Sequence, residues 1–355
     1  MAKKNLVIYH YFEKDASYRD NFSHFLTFGI QEENDYVAII SGEHTLELPD
    51  FPNIKYVLTE PKRSDFGGYA HLINTGFDFQ SYEFIFFINS SVRGPYLPPY
   101  AQQSWTQVFL NQMDSDVGMV GASICTLKSD FRHSINYQER YGSNPPYSHV
   151  QTMAYVIRRS VLEAIIKSDF YGDNRDVTKS LAIEDYEIHL SQLVLAEGLN
   201  LRCLLPEFNR IDYRRPHQNS NPSSEVGDPN EVLGYFGRSI HPYEGLFVKT
   251  NRQLFTQSYL MRLAYSMYQA KAAQFSPAFL ENPCIKDYVC RVEQSALQEE
   301  GVADFSYLPG QQEERARIAF LIQEEHKAQK ALHDVLQSSS WLITAPLRRI
   351  KDWLS

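Results

Sequence analysis

Short apolar runs alternate with longer amphipathic stretches over the first 125 residues. The apolar runs predict buried strands over Leu6 to Tyr11, Tyr36 to Ile40, Ile54 to Leu58, Tyr82 to Ile88 and Val117 to Ile124. Between them, helical spacing of apolar residues predicts helices such as Tyr18 to Phe28, Gly68 to Phe77 and Tyr100 to Gln112. This alternation favours βαβ units, and therefore an α/β fold with a mainly parallel sheet that helices cover on both faces.

After residue 125 the pattern becomes irregular and then helical. A strand is predicted over Thr152 to Ile157 and a helix over Ile183 to Glu197. Residues 214–230 are dense in turn formers and predict a long loop, either mobile or a lid. We therefore expect a catalytic domain over 1–255, a helical region over 256–310, and a charged helix with an amphipathic tail over 311–355. This tail is basic and holds two tryptophans, which suits contact with a membrane surface or a partner domain.

Composition and charge narrow the function classes. The net charge of −9 and the pI near 5.7 make nucleic acid an unfavourable partner, so an anionic ligand needs a local basic cluster. The four cysteines form no CxxC pair, which argues against a structural zinc site and favours reduced thiols. The first apolar run is too short for a signal peptide or a membrane span. We expect a cytoplasmic protein, with peripheral contact to the inner membrane through the tail as an alternative.

Two polar segments follow predicted strands, where ligands bind in parallel sheets. In the first, Gly67 and Gly68 open a helix and Asp65 precedes them, an arrangement suited to ribose or phosphate, or to a plain turn with a helix cap. The second, after the Phe86-Phe87 strand, contains Asn89, Ser90, Ser91 and Arg93. The planar guanidinium of Arg93 suits a diphosphate, the alternative being a structural turn.

Two later segments contain further candidate site residues: a pair of acids and a cluster of basic residues. Glu184 and Asp185 lie in the first turn of the predicted helix, where the macrodipole alone would favour them. They are also candidates for a general base that deprotonates a hydroxyl. The segment from Gly237 to Arg252 is a basic cluster that could neutralise a leaving diphosphate. Its candidate ligand-binding residues are His241, Lys249 and Arg252, although His241 could equally be a structural histidine.

The order of these features resembles GT-A-fold glycosyltransferases over roughly residues 5 to 255. Gly68 to Ile88 resembles the stretch of the family-2-like enzymes that leads into the strand with the Asp-x-Asp motif. Glu184 to Glu187 resembles the Glu-Asp helix whose acid is the catalytic base in inverting members. Asn89 to Pro98 and Ser239 to Glu244 are similar to segments of bacterial polysaccharide transferases near the rhamnan-synthesis group. Ser340 to Arg348 resembles a tail of capsule and O-antigen transferases.

One departure from the family concerns the metal. Where the family has Asp-x-Asp, this chain has Asn89-Ser90-Ser91, without a carboxylate for Mg²⁺ or Mn²⁺. Either another acid such as Asp65 or Asp78 holds the cation, or the enzyme is metal-independent and its basic residues replace the metal. We favour the second interpretation slightly.

The resemblance implies a transferase that moves a hexosyl-type residue from a nucleoside-diphosphate sugar to a glycan or glycolipid acceptor of a surface polysaccharide. Two other interpretations remain open. An inactive GT-A-like module that binds glycan or scaffolds an assembly complex would explain the missing Asp-x-Asp acids. A nucleotidyltransferase would carry a Gly-rich, basic loop after the first strand, where this chain has His10 to Glu13.

Overall fold

The computed structural model describes residues 5–61, 64–172, 179–224 and 227–297, together with five isolated positions between 321 and 331. Its strands are β1 (Asn5–Tyr11), β2 (Asn34–Ser41), β3 (Ile54–Thr59), β4 (Phe84–Asn89), β5 (Val92–Arg93), β6 (Val117–Gly121), β7 (Ile124–Leu127), β8 (Tyr147–Val150), β9 (Ala154–Arg158), β10 (Asn200–Cys203) and β11 (Val248–Lys249).

The α-helices are α1 (Ala16–Phe28), α2 (Asp65–Asn74), α3 (Trp105–Leu110), α4 (Arg132–Tyr141), α5 (Arg159–Lys167), α6 (Lys179–Leu181), α7 (His189–Ala196), α8 (Pro242–Gly245), α9 (Gln257–Lys271), α10 (Pro277–Leu280) and α11 (Pro283–Leu297). A π-helical segment, Ala182–Ile188, joins α6 to α7, and 3₁₀ turns span Pro206–Arg210, Thr250–Arg252 and Ala272–Gln274.

The main sheet has seven strands in the order β10-β6-β9-β4-β1-β2-β3. Strand β9 is antiparallel to both of its neighbours, and the other adjacent pairs are parallel. The predicted α/β fold with a mainly parallel sheet, flanking helices and a C-terminal helical extension is therefore confirmed. One predicted strand is divided: residues 117–121 form β6, whereas β7 leaves the main sheet to pair with β8.

Successive residues of β1 face opposite sides of the sheet and enter two separate cores. Leu6 and Ile8 pack with apolar residues of α2, α5 and α7. Val7 and Tyr9 pack with residues of α1, α3 and α11. All seven residues of β1 are buried, as expected for a central strand covered on both faces.

The parallel order brings the carboxyl ends of β1, β2 and β4 to one edge of the sheet. Beyond this edge, β5 pairs antiparallel with β11, which places Lys249 opposite Val92. Helices α9 and α11 pack on one another and α11 packs on α1, around a core that includes Leu260 and Tyr288. Segments that lie far apart in the sequence thus meet beyond this edge of the sheet.

The chain divides into two units, Met1–Gln298 and Glu299–Ser355. Almost all of the second unit lies outside the described residues, and so do most of the predicted charged helix over 311–336 and the whole tail over 341–354. The domain limits at 255 and 310 stay predictions. Within the described segments, no helix is both long and apolar enough to cross a membrane.

Candidate functional site

Asp65 and Asn89 meet at the carboxyl end of β4. The Asn89 side-chain amide donates a hydrogen bond to the Asp65 carboxylate at 2.8 Å, and its carbonyl oxygen accepts from the backbone and hydroxyl of Ser91 at 3.1 and 2.6 Å. The two segments that the sequence presents separately therefore form one polar tip, which we define as Asp65, Asn89 and Ser91.

Asp65 is the first residue of α2, and the preceding Ser64 caps the helix by accepting from the backbone amide of Gly67. The pKa of Asp65 is raised to about 6, mainly by burial and also by the nearby charge of Glu187, against the opposing effects of the hydrogen bond from Asn89 and the charge of Lys249. A carboxyl in this state exchanges its proton near neutral pH and can accept hydrogen bonds from ribose hydroxyls when ionised.

Gly68 permits the close approach of α2 to β1. A Cβ atom at this position would lie 2.3 Å from Cδ2 of His10, whose ring is almost fully buried. Burial lowers the pKa of His10 to about 4, so the ring is neutral. The close approach that Gly68 allows is therefore made by the protein's own histidine, whereas the sequence predicts a ligand there. Gly67 is the glycine of the pair that is partly exposed.

Lys249 lies beside the polar tip because of the β5–β11 pairing. The backbone amide of Thr250 donates to the carbonyl of Ser91 at 3.2 Å, which fixes the register next to the tip. The positive charge of Lys249 lowers the pKa of both Asp65 and Glu187. In the described part of the chain its ammonium forms no ion pair, so this charge is available to an anionic ligand.

Glu187 is a second acid on which the charge of Lys249 acts. It lies in the π-helical segment, and burial raises its pKa, with a further increase from Asp228. Lys249, Arg252 and His133 lower it. Among the described residues no hydrogen bond or ion pair involves the Glu187 carboxylate. A half-buried acid with a raised pKa and no partner is suited to accept a proton.

Sequence reasoning missed Glu187, although the residue belongs to the segment that it selected. Glu184 and Asp185 were preferred there because they match a family motif. No signal in the sequence separates the three acids, since what distinguishes them is contact with α4.

Glu184 and Asp185 are held by α4. The Glu184 carboxylate is buried and accepts hydrogen bonds from His133 at 2.8 Å, Asn136 at 2.7 Å and Arg140 at 3.3 Å. These groups lower the pKa of Glu184 against the opposing effect of burial. Asp185 forms an ion pair with Arg140 and accepts from the Tyr141 hydroxyl at 3.1 Å. Both predicted catalytic acids therefore join two helices in this structure.

Two residues predicted to bind the donor are enclosed by the protein. The Ser90 hydroxyl accepts from the backbone amide of Phe12 at 3.1 Å, and Ser90 is almost fully buried. Arg93 is completely buried and donates to Asn21 and Gln257, both at 2.9 Å. Asn21 in turn donates to the Ser90 carbonyl and to Thr250. We expected Ser90 and Arg93 to touch the diphosphate. In this structure they instead form hydrogen bonds to other parts of the protein beneath the tip.

The remaining predicted bases differ in availability. His241 caps α8, where Nδ1 accepts from the Tyr243 amide at 3.1 Å, and its Nε2 lies 2.9 Å from the Tyr259 hydroxyl. Both ring nitrogens are thus engaged, which matches the structural alternative. Arg252 is partly exposed and pairs with Asp228 at 3.6 Å and with Glu231. Its charge acts on Glu187 but is shared with two carboxylates.

The polar tip does not fit a divalent cation in this arrangement. Mg²⁺ and Mn²⁺ prefer several oxygen ligands that include carboxylates. Asp65 is the only carboxylate of the tip, and it accepts a hydrogen bond from the side-chain amide of Asn89. The side-chain oxygen of Asn89 in turn accepts a hydrogen bond from the Ser91 hydroxyl. Across the described residues no group of three or more His, Cys, Asp or Glu side chains is arranged to hold a metal.

The chain matches no protein-family model and no curated protein sequence. Among solved structures it is similar to the mannosyltransferase PcManGT from Pyrobaculum calidifontis in complex with GDP-Man and Mn²⁺, with 13% identity over 84% of this chain and 88% of that chain, and a TM-score of 0.34. It is also similar to the galactosyltransferase LgtC in complex with donor and acceptor sugar analogues, with 12% identity over 51% and 69% of the two chains and a TM-score of 0.29.

A third similar structure is 4-diphosphocytidyl-2C-methyl-D-erythritol synthase from Anaerococcus prevotii, with 12% identity over 61% of this chain and 94% of that chain, and a TM-score of 0.32. Similarities this low assign no activity to the chain. Any functional conclusion has to rest on the residues at the edge of the sheet.

Proposed function

We propose that this protein transfers a sugar from a nucleoside-diphosphate sugar to the hydroxyl of a glycan or glycolipid acceptor. The observation that carries the proposal is the group formed by the polar tip, the Glu187 carboxylate and the Lys249 ammonium, the last two without a hydrogen-bond or ion-pair partner among the described residues. The group combines a proton acceptor with a cation at the carboxyl edge of a mainly parallel sheet, where such folds bind ligands.

An acid and a cation would hold different parts of the donor. Asp65 accepts hydrogen bonds from the nucleoside, and the backbone at Gly67 allows the ligand close to the start of α2. Lys249 binds the diphosphate, with Arg252 contributing charge and Asn89 and Ser91 supplying hydrogen bonds. Lys249 lowers the pKa of both Asp65 and Glu187, so its positive charge acts on both acids.

The reaction needs one base and one group that stabilises the leaving diphosphate. The acceptor oxygen attacks the anomeric carbon while its proton passes to a carboxylate. The bond from the anomeric carbon to the β-phosphate oxygen breaks, its electron pair leaves with the nucleoside diphosphate, and Lys249 offsets the new charge. A single displacement of this kind inverts the anomeric centre, so we propose an inverting transferase.

The base is best assigned to Glu187. Glu184 accepts three hydrogen bonds and its pKa is lowered, so it is a weak proton acceptor. The Asp185 carboxylate is engaged in its ion pair with Arg140. Glu187 lies in the same acidic segment, has a raised pKa and is affected by the charge of Lys249. The proposed base therefore lies in the same segment as Glu184 and Asp185, but it is Glu187, the acid that forms no described hydrogen bond or ion pair with α4.

Donor binding tests the proposal. Calorimetry with UDP-, GDP- and dTDP-sugars, each with and without EDTA, should show at least one donor that binds. A scaffold module would bind none of them, which would contradict the proposal. Binding and turnover that persist in EDTA would support metal independence, whereas their loss would require a metal held by Asp65 or by another acid. Acceptors derived from O-antigen and capsule polysaccharides are the first to assay, as the sequence resemblance suggests.

A further inference from the structure

Asn21 of α1 is completely buried and joins the two segments that carry the polar tip and Lys249. Its side-chain amide donates one hydrogen bond to the Ser90 carbonyl at 2.9 Å and another to the Thr250 hydroxyl at 2.8 Å. Ser90 immediately precedes Ser91 of the tip, and Thr250 immediately follows Lys249. A single side-chain amide therefore connects the end of β4 to the end of β11.

Thr250 makes two further contacts with the tip. Its backbone amide donates to the Ser91 carbonyl at 3.2 Å, and its hydroxyl donates to the same carbonyl at 3.5 Å. Strand β11 is only two residues long and pairs with the equally short β5. Because so short a ladder supplies few hydrogen bonds, the position of Lys249 depends on the contacts of its neighbour Thr250.

Asn21 is itself held by a buried network of charged and polar groups. Its side-chain oxygen accepts from Nε of Arg93 at 2.9 Å, and Nη1 of Arg93 donates to Gln257 of α9 at 2.9 Å. Gln257 donates to Asp20 at 2.9 Å. Asp20 forms ion pairs with Arg93, at 3.8 Å, and with Arg291 of α11. Because arginine can only donate, Arg93 fixes Asn21 with its oxygen toward the guanidinium and its N–H groups toward the tip.

This network permits little variation in its geometry. Arg93 is completely buried and the Asp20 side chain is 10% exposed, so both charges have lost most of their hydration. A buried ion pair contributes little net stability, but any arrangement that separates its charges is strongly disfavoured. The network therefore keeps Asn21 in one orientation, and helices α9 and α11 take part in its support.

From these contacts, we infer that Asn21 and Thr250 are positioning residues that hold the Lys249 ammonium beside the polar tip. The positioning itself does not depend on any reaction. Its consequence for the binding of a nucleoside diphosphate rests on the proposed function.

The substitution that tests this is Thr250→Val, which removes the hydroxyl and keeps the branched shape of the side chain. It deprives Asn21 of one acceptor and leaves the backbone amide at residue 250 in place. Thr250→Ser keeps the hydroxyl and should behave as wild type. The matched control is Thr27→Val, because the Thr27 hydroxyl is also buried and donates to the Ser23 carbonyl at 2.8 Å near the far end of α1.

The first readout needs no ligand. The charge of Glu187 raises the pKa of Asp65 and the charge of Lys249 lowers it, so displacement of Lys249 should raise it. Lys249→Gln gives the full rise, and we expect Thr250→Val to reach roughly half of it. Thr250→Ser and Thr27→Val should keep the wild-type value. Carbon-13 NMR titration of the aspartate carboxyl groups measures this pKa.

The second readout is calorimetry with UDP, GDP and dTDP. For the nucleoside diphosphate that wild type binds, Thr250→Val should weaken the affinity about tenfold, while Thr250→Ser and Thr27→Val stay within a few-fold of wild type. A raised pKa of Asp65 with unchanged affinity would support the positioning and count against the role of Lys249 at the diphosphate.

The inference is overturned if the pKa of Asp65 is unchanged in Thr250→Val or in Lys249→Gln. It is also overturned if Thr27→Val raises this pKa as much as Thr250→Val does, or if Thr250→Ser fails to keep the wild-type value. A wild-type protein that binds no nucleoside diphosphate would refute the proposed function, and the titration of Asp65 would still decide the positioning.

Discussion

Glu184 and Glu187 are chemically identical and lie three residues apart in one π-helical segment, yet their surroundings are opposite. Glu184 is buried against α4 and accepts hydrogen bonds from His133, Asn136 and Arg140, so its pKa is lowered. Glu187 is half-buried without a partner among the described residues, and its pKa is raised. The comparison shows that burial favours the protonated form of a carboxyl only where hydrogen bonds and cations do not outweigh it.

The number of hydrogen-bond donors around a carboxylate also indicates whether its role is structural or chemical. A carboxylate with several donors holds two elements together and resists protonation, because protonation would break those contacts. A carboxylate without donors contributes little to stability but can take up a proton at moderate cost. On this reasoning Glu184 has a structural role, joining α4 to the π-helical segment, whereas Glu187 is the acid that we propose to be reactive.

The largest expected effect is on catalysis by Glu187→Gln. Loss of a general base should lower the transfer rate by about 10²- to 10⁴-fold, while the affinity for the donor stays within a few-fold of wild type. Single-turnover kinetics with the bound donor would measure this. Asp185→Asn is the matched control and should retain most of the rate. A wild-type rate in Glu187→Gln, together with a large loss in Asp185→Asn, would return the role of base to Asp185.

Removal of the charge at Lys249 should have the next largest effect. Lys249→Gln takes away the unpaired cation beside the tip, so the affinity for the nucleoside diphosphate should fall about ten- to a hundredfold, the usual value of a hydrogen bond to a charged group. Calorimetry with the free nucleoside diphosphate measures it. Lys286→Gln is the control, since this exposed lysine pairs with Glu281 in the C-terminal helices. Equal affinities in the two variants would exclude Lys249 from the diphosphate site.

Glu184→Gln should act on stability. The change leaves His133 and Arg140 without their carboxylate, and we expect the free energy of unfolding to fall by about 2 kcal/mol. Urea denaturation measures this, with Glu187→Gln as the comparison because that acid has no described partner to lose. If Glu187→Gln proved the more destabilising of the two, the structural role assigned to Glu184 and the reactive role proposed for Glu187 would be wrong.

An effect of similar size, spread over the pH range, is expected in the pH dependence of stability at Asp65. The pKa is about 6 in the folded protein against 3.8 as the ordinary value, so between these pH values the folded state holds a proton that the unfolded chain has lost. The free energy of unfolding should therefore fall as pH rises from about 4 to 6, by roughly 2 kcal/mol from this group. Asp65→Asn should remove that decrease in urea titrations. An unchanged slope would show that Asp65 is not buried enough to matter.

Much of the fold could be predicted because local patterns determine it. The alternation of apolar runs and amphipathic stretches identifies β1 to β4 and the helices between them. The break after β6 was missed because residues 117 to 124 are continuously apolar, and only the pairing of β7 with β8 shows that the strand ends at Gly121. A long apolar run does not reveal a change of sheet.

The site was predicted less completely, for reasons of long-range packing. Asp65, Asn89, Ser91 and Lys249 were selected from strand ends and charge, and the structure brings them together. Arg93 looked like a ligand-binding residue because it follows a buried strand, but Asn21 and Gln257, which enclose it, lie 72 and 164 residues away. In the same way, the choice among Glu184, Asp185 and Glu187 depends on α4, about fifty residues upstream, which no local pattern encodes.

We propose that Glu187 and Lys249, at the edge of the sheet, perform sugar transfer. The most direct measurement is nucleoside-diphosphate release from a panel of UDP-, GDP- and dTDP-sugars, with a mixed oligosaccharide acceptor, for wild type and for Glu187→Gln. We expect the wild-type protein to release the nucleoside diphosphate from at least one donor. In Glu187→Gln this release should be almost completely lost while donor binding is retained. Absence of binding and release with every donor, or equal release by both proteins, would contradict it.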